Sequence, residues 1–255
     1  MKVSNSIIKL VSSLDKAKTR RETNLFVAEG TKCVCDLMRT FNVRYFIATE
    51  LWMKQNEAVL TYVDSGLVLS ASPKDMERMS HLSTASGVIA VFDMPKIAIP
   101  DPTKEHDRLI LMLDDVRDPG NLGTIIRAAD WFGIRNVVCS NNSVDVYNTK
   151  VVMATMGALA RVEVSYCDID SWLAQYNGSV YGTFLEGEDI YRADLKQSGV
   201  IVMGNEGKGV RDSVSKKCTH KLFIPPYPRN VATSESLNVG MATAIVLNEF
   251  RRRNG

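Results

Sequence analysis

The sequence predicts an α/β protein of two domains, a small α/β domain followed by a larger α/β domain. Three observations lead there. Short runs rich in β-branched and aromatic residues alternate with helix-length segments along the chain. The stretch Met94 to Asp107 carries Pro95, Pro100 and Pro102 among charged residues and has no periodicity, which reads as a linker. After it, Leu109 to Leu113 is a continuous apolar run, as expected of a strand buried on both faces. The expected boundaries are 1–98 for the small domain, 99–107 for the linker and 108–255 for the larger domain.

In the first domain, residues 1–25 are polar and basic. Lys9, Lys16, Lys18, Arg20 and Arg21 stand against Asp15 and Glu22. Charge alone reads this as a solvated amphipathic helix and turn. The functional reading is a phosphate-contacting surface made by Lys16, Lys18, Arg20 and Arg21. Phe26 to Gly30 is an apolar run ended by glycine, and Thr31 to Thr40 reads as a helix with Thr31 as a possible N-cap. Val43–Ala48, Leu67–Ser70 and Gly87–Phe92 read as strands. Ser72-Pro73 opens a helix, with a capping residue followed by proline at the first helical position. The alternation predicts a mostly parallel sheet.

In the second domain, Leu122, Ile125, Ile126 and Ala129 recur at helical spacing after the Leu109–Leu113 strand, and Gly133 suits the left-handed position that ends a helix. Asn136–Cys139, Val180–Leu185, Val200–Met203 and Lys221–Ile224 read as strands, and Val151–Ala160 as a helix. Ser236–Arg253 reads as a long terminal helix that ends in three arginines. Leu237, Met241 and Ala244 give it one apolar face; Val239, Val246 and Phe250 give it another. A helix apolar on more than one side is usually buried, either wholly within its own domain or against a partner subunit as well.

Composition narrows the function classes. Hydrophobic residues at 45% and charged residues at 24% are those of an ordinary globular protein, and a net charge of +2 is too small to argue nucleic-acid binding in bulk. The five cysteines form no C-x-x-C pair and the three histidines are scattered, so no metal site is expected. No apolar run approaches the roughly 18 residues needed to span a membrane, and no signal-peptide pattern follows Lys2. A cytoplasmic location is the expectation.

Three segments of the second domain look built for a ligand, since each follows a strand and leads into a loop or helix. The first is Asp118-Pro119-Gly120-Asn121-Leu122-Gly123, which opens the helix that carries Arg127. The second is Met203 to Gly209, and the third runs from Ile224-Pro225 to Ser236-Leu237-Asn238. The spacing of Gly204, Gly207 and Gly209 is neither a dinucleotide fingerprint nor a P-loop. Asp114, Asp115 and Asp118 read as an acidic approach to a helix N-terminus rather than a metal site. Taken alone, Arg127 reads as a surface arginine in a salt bridge.

These segments, in this order, resemble the motifs of the SpoU/TrmH family of RNA 2′-O-ribose methyltransferases. Asn121, Gly123, Arg127, Ala129 and Phe132-Gly133 carry the first motif. Gly204, Glu206, Gly207 and Gly209 carry the second. Ile224-Pro225 and Glu235-Ser236-Leu237-Asn238-Val239 carry the third. The first domain is similar, more loosely, to the small substrate-binding domain found ahead of such enzymes. The chain departs from the family pattern in the third motif. There Pro226 to Ser234 makes a loop about four residues longer and without glycine, an extension of small entropic cost.

The resemblance implies a deep trefoil knot in the second domain, a homodimer formed through that domain, RNA as substrate and S-adenosyl-L-methionine (AdoMet) as cofactor. It implies that Asn121, Arg127 and Ser236 lie near the reacting ribose. It further implies that the backbone of Gly204, Ile224 and Leu237 holds the adenosine, with Glu206, Gly207 and Asn238 shaping the site. Ribosomal RNA is the expected substrate, because a separate N-terminal domain and basic stretches suit a large folded RNA. The alternatives are a tRNA ribose methyltransferase and a catalytically altered, RNA-binding member of the same fold. An NAD-binding enzyme is disfavoured, since no glycine fingerprint follows the first strand.

Overall fold

The structure is a computed structural model; it describes residues 1–229 and 234–252. The first half of the chain runs α1 (Asn5–Ser13), α2 (Ala17–Thr23), β1 (Leu25–Glu29), α3 (Thr31–Leu37), β2 (Val43–Ala48), α4 (Glu50–Gln55), α5 (Glu57–Leu60), β3 (Val68–Ser70), α6 (Pro73–Met79) and β4 (Val88–Asp93). The second continues with β5 (Leu109–Leu113), α7 (Pro119–Trp131), β6 (Asn136–Ser140), α8 (Thr149–Ala154), β7 (Glu163–Cys167), α9 (Ile169–Gln175), β8 (Val180–Phe184), β9 (Glu188–Asp189), β10 (Gly199–Met203), α10 (Asp212–Ser215), β11 (His220–Phe223) and α11 (Val239–Arg252). None of the described helices is long and apolar enough to cross a membrane.

The chain divides into two compact units, and the division departs from the expected boundaries both at residues 145–160 and at the second unit's start, Ile97, which leaves no separate linker. Asp145–Ala160 belongs to the first unit together with Met1–Lys96, while Ile97–Val144 and Arg161–Gly255 make the second. Packing explains the exchange. Tyr147 lies 4.7 Å from Phe26 in an aromatic cluster that includes Phe41 and Phe92. Burial of the Tyr147 phenol in that cluster raises its pKa. The proline stretch is not a free linker at its far end, since Trp172 Nε1 donates to the Pro100 carbonyl at 2.6 Å.

The sheet of the first unit has the order β1-β4-β2-β3. It is not mostly parallel, as the alternation predicted. β4 is antiparallel to both β1 and β2, and only β2–β3 is parallel. Periodicity identifies strands, but the partner of a strand is set by the chain reversals between them. The segment from Ser80 to Gly87 returns β4 between β1 and β2. Glu29, buried at the end of β1, fixes that return: its carboxylate accepts from Ser80 Oγ at 2.6 Å and from the His81 amide at 2.7 Å. Ser72 caps α6 as its spacing predicted, by accepting from the Asp75 amide. Thr31 does not cap α3; its hydroxyl accepts from Trp52 Nε1 at 2.8 Å.

Arg20 is a second correction. Only 1% of it is exposed, and its guanidinium donates to the Leu14 and Asp15 carbonyls and to Asp145 Oδ2. It closes the α1–α2 turn onto the 145–160 segment, and four of its five donors are committed inside the protein, so it does not face an RNA phosphate. Lys16, Lys18 and Arg21 are exposed, as expected.

The second unit holds a seven-stranded sheet of order β7-β6-β5-β10-β8-β11-β9, every pairing of which is parallel. All five residues of β5 and of β10 are buried, which is why both read as unbroken apolar runs. From β5 the chain builds outward through β6 and β7, then crosses to the other side for β8 onward. The switch point is therefore the β5/β10 boundary, and in open α/β sheets ligands bind at the carboxyl ends of strands at such a point. One face of the sheet is covered by a cluster that includes Met112, Val138, Trp172, Val202 and Val214. α7 and α11 pack against each other, and Phe250 of α11 meets Tyr181 edge-on at 5.0 Å. α11 begins at Val239 rather than Ser236. Asn238 is its cap, accepting from the Gly240 and Met241 amides. Arg253, the last of the expected arginine triplet, lies outside the described residues. Burial pushes the Cys167 and Cys218 thiols up to about 11, which fits inert free cysteines.

Arg20→Met is expected to destabilise the protein by about 2 kcal/mol, chiefly because the buried Leu14 carbonyl loses its donor, while Asp145 is exposed enough to be met by water. Arg21→Met, on the exposed side of the same helix, is expected to stay within about 0.5 kcal/mol of wild type. Denaturant midpoints of the two variants measure the contrast.

Candidate active site

β5 ends at Leu113, and the next residues turn sharply. Asp115 has a left-handed backbone, φ 63°, held by its amide bonded to Ser140 Oγ and its carbonyl accepting from Asn205 Nδ2 at 2.7 Å. Asp118 then caps α7 by accepting from the Asn121 amide at 2.8 Å, and Pro119 occupies the first turn. Leu122, Gly123, Ile125, Ile126 and Ala129 form the buried face of α7, and Phe132 ends it with Gly133 at φ 67°.

β10 leads into the second segment. Asn205 and Gly209 exchange two backbone hydrogen bonds, each 3.0 Å, which closes a tight loop. The Asn205 side chain also accepts from the amides of Gly207 and Lys208. Gly204 is obligatory there: a Cβ on it would lie 2.2 Å from the Gly209 carbonyl carbon. Behind the loop, Asp114 is fully buried and accepts from both the backbone and the Nε of Arg211, at 2.8 and 2.6 Å. Arg211 reaches Asp170 as well. Burial works against the charged form of Arg211, and its bonds to Asp114 outweigh this and raise its pKa.

The three segments meet through side chains. Glu206 Oε1 accepts from Asn121 Nδ2 at 3.1 Å and from the Asp118 amide at 3.1 Å; Oε2 faces the Arg117 amide and Asn205 Nδ2. Asn121 Oδ1 in turn accepts from Asn238 Nδ2 at 2.8 Å. A continuous chain Glu206–Asn121–Asn238 thus ties residues 85 and 117 positions apart. Burial pushes the Glu206 carboxyl up, but hydrogen bonds from its own amide, from Asn121 and from the Asp118 and Arg117 amides outweigh it and hold the group below the usual glutamate value. Around this chain, the main-chain groups of Gly204, Ile224 and Leu237 make no hydrogen bond to any described residue. Arg127 is exposed on α7, and its guanidinium has no hydrogen-bond or ionic partner among the described residues.

Comparison with known proteins places this arrangement. Residues 108–248 match the SpoU rRNA Methylase family, and residues 5–90 match the MRM3-like substrate binding domain. The chain belongs to the SpoU rRNA methylase family. It is 28% identical to the 23S rRNA (guanosine(2553)-2′-O)-methyltransferase RlmP of Bacillus subtilis, over 97% of this chain and 96% of that protein. A TrmH-family structure from Porphyromonas gingivalis superposes with TM-score 0.86 at 37% identity, covering 99% of this chain and 100% of that one. The AdoMet-bound rRNA methyltransferase of Sinorhizobium meliloti superposes with TM-score 0.86 at 28% identity, covering 99% and 98%.

Within this SpoU domain, the structure brings Asn121, Gly204, Glu206, Gly207 and Asn238 into one network or its loop. Ile224 follows β11, and Ser236 and Leu237 precede α11, both exposed. Part of the longer third-motif loop, Asn230 to Thr233, lies outside the described residues. Its near end is held by Arg229, which is paired with Asp189. Sequence reasoning missed Asn205, Asp114 and Arg211. Asn205 sits inside a segment that had been singled out, and an asparagine between glycines is a readable turn signal. The Asp114–Arg211 pair spans 97 positions and leaves no local trace. Among the described residues no group of three His, Cys, Asp or Glu side chains is placed to hold a metal.

Because its folded-state pKa is lowered, Glu206 contributes stability above the usual glutamate value, which is lost as pH falls through the lowered one. Its side-chain carboxyl carbon is expected to titrate below the value of an unstructured glutamate when followed by NMR. Glu206→Gln is expected to speed hydrogen exchange at the Arg117 and Asp118 amides and to cost about 1 kcal/mol, a modest figure because the site is open to water.

Proposed function

We propose that this protein is an AdoMet-dependent methyltransferase that modifies a ribose 2′-hydroxyl of ribosomal RNA. The observation that carries the reading is the Glu206–Asn121–Asn238 chain, which assembles all three family segments at the carboxyl end of one parallel sheet. The naming of relatives as 23S rRNA methyltransferases favours ribosomal over transfer RNA. On this reading 1–98 carries the substrate-binding role, with Lys16, Lys18 and Arg21 toward phosphates, and 108–255 carries the chemistry. The work is done where ribosomal RNA is made, in the cytoplasm.

The residues present fit the cofactor. The main-chain groups of Gly204, Ile224 and Leu237, which bond to no described residue, suit an adenine edge, and Gly207 has open space where a side chain would stand. AdoMet, when bound, supplies a methyl group on a sulfonium, already a strong electrophile. The protein must then place the ribose oxygen about 3–3.5 Å from that carbon and favour loss of its proton. A guanidinium keeps its own proton, so Arg127 is not a general base. It grips the neighbouring phosphate and stabilises negative charge growing on the 2′-oxygen. Asn121 joins the other two segments with both ends of its amide, so its role is to position the site. Ser236, exposed just ahead of the Asn238 cap, faces the ribose.

The same reading includes a trefoil knot, with the third segment returned onto α7 by the Asn238–Asn121 bond, and a homodimer. Support for the dimer comes from α11. It buries Val239, Val246, Leu247 and Phe250, yet its Met241 is 60% exposed, as is Leu237, just ahead of the helix, at 50%. Met241→Asp is expected to convert a dimer into the 28.3 kDa monomer in analytical ultracentrifugation.

The enzymatic test uses AdoMet with a labelled methyl group and unmethylated 23S rRNA and tRNA transcripts. Label is expected in the 23S transcript, within alkali-resistant dinucleotides that report a blocked 2′-oxygen. Label in tRNA alone moves the substrate. AdoMet binding without label in either RNA favours a binding role. Arg127→Ala is expected to bind AdoMet as wild type does in calorimetry and to lose about 10²–10³-fold in turnover.

A further inference from the structure

The three tryptophans of the chain stand in different surroundings. Trp52 and Trp172 are 7% and 4% exposed; Trp131 is 85% exposed. Trp131 is the last residue of α7 and points away from the buried face of that helix. It shares the outward stripe with Thr124 and Arg127, all exposed and spaced three and four apart. Arg127 and Trp131 are therefore one turn apart, about 6 Å along the axis. Arg135, four residues further on, is exposed too.

The charge around the indole is one-sided. Neither Arg127 nor Arg135 has a side-chain partner among the described residues. The neighbouring carboxylate, Asp130, is held by Arg161, whose guanidinium reaches both of its oxygens at 2.7–3.0 Å. The indole itself makes no ring contact among the described residues. A bare aromatic face one helical turn from an uncommitted guanidinium, with a second exposed arginine just beyond the helix end, is the chemistry that binds single-stranded nucleic acid: the ring stacks on a base while a cation holds the neighbouring phosphate.

We propose that Trp131 is a stacking platform for an RNA base beside the nucleotide whose ribose is methylated. The proposal rests on the methyltransferase reading, because Arg127 fixes where the target phosphate lies. A second copy of the chain fits this spot less well. Gly240 of α11 faces Thr124, and Arg251 reaches the Phe132 and Gly133 carbonyls, so α11 runs parallel to α7. The exposed Leu237 and Met241 therefore lie toward the start of α7, and Trp131 lies about 10 Å further along, past Arg127.

The buried state of Trp52 and Trp172 makes the test direct, since acrylamide quenching of the full-length protein reports chiefly Trp131. Adding an unmethylated 23S rRNA transcript is expected to shield the quenchable emission, and Trp131→Phe to remove it. Trp131→Ala is expected to raise the KM for that transcript about tenfold or more, with AdoMet affinity and sedimentation unchanged, and Trp131→Phe to recover most of the loss. RNA that leaves the quenching unaltered, a wild-type KM in Trp131→Ala, or a dimer that dissociates in that variant would each overturn the proposal. A wild-type protein that is shielded by RNA but transfers no methyl group would instead sink the enzymatic reading and leave the stacking surface standing.

Discussion

One carboxylate holds the site together. Glu206 presents its two oxygens to the amides of Arg117 and Asp118 and to the side chain of Asn121, and Asn121 passes the connection to Asn238. Closing long loops in a chain costs little more than closing short ones, because the entropic term grows only with the logarithm of length. A few hydrogen bonds to a charged group, each modest because Glu206 is open to water, together hold such distant segments in register. A glutamine in place of Glu206 would turn donors toward donors, so the charge matters as well as the shape.

The network has a rigid back. Asp114 is the first residue beyond β5, and its amide donates to the Met203 carbonyl at the end of β10. Its fully buried carboxylate is answered by the backbone and side chain of Arg211. The two central strands of the sheet are thus tied at their carboxyl ends, at the place where the connections diverge to either side. Gly204 then allows the second loop to fold back on itself with no side chain between. The geometry of the site follows from the sheet topology and from these two carboxylates together.

How much of this the sequence discloses depends on distance along the chain. The strands Val43–Ala48 and Leu109–Leu113, the Ser72 cap and the Gly133 stop depend on neighbours within a few residues, and all are legible. β7 and α9 were missed: Ser165 and Cys167 dilute the strand, and α9 is only seven residues long. The antiparallel pairing of β4 depends on Glu29 holding a turn some fifty positions away. The transfer of residues 145–160 to the first unit depends on Tyr147 meeting Phe26 and Asp145 meeting Arg20. No local pattern carries those. At the site, the motif residues were readable by resemblance, while their mutual bonds were not.

Arg20 and Arg127 show why a count of basic residues could not have found the surface proposed to face RNA. Arg20 lies in the most basic stretch of the chain, yet its guanidinium is enclosed by Asp145 and two carbonyls. Arg127 lies among apolar residues on a helix with no other basic residue, and its guanidinium has no partner among the described residues. A phosphate competes for a guanidinium only when no carboxylate of the protein already holds it. What marks the surface around α7 is the absence of committed partners at Arg127 and Arg135, with Asp130 already turned to Arg161. On the proposed reading a small number of free cations suffices there, because Glu206, Asn121 and Asn238 would position the reacting nucleotide.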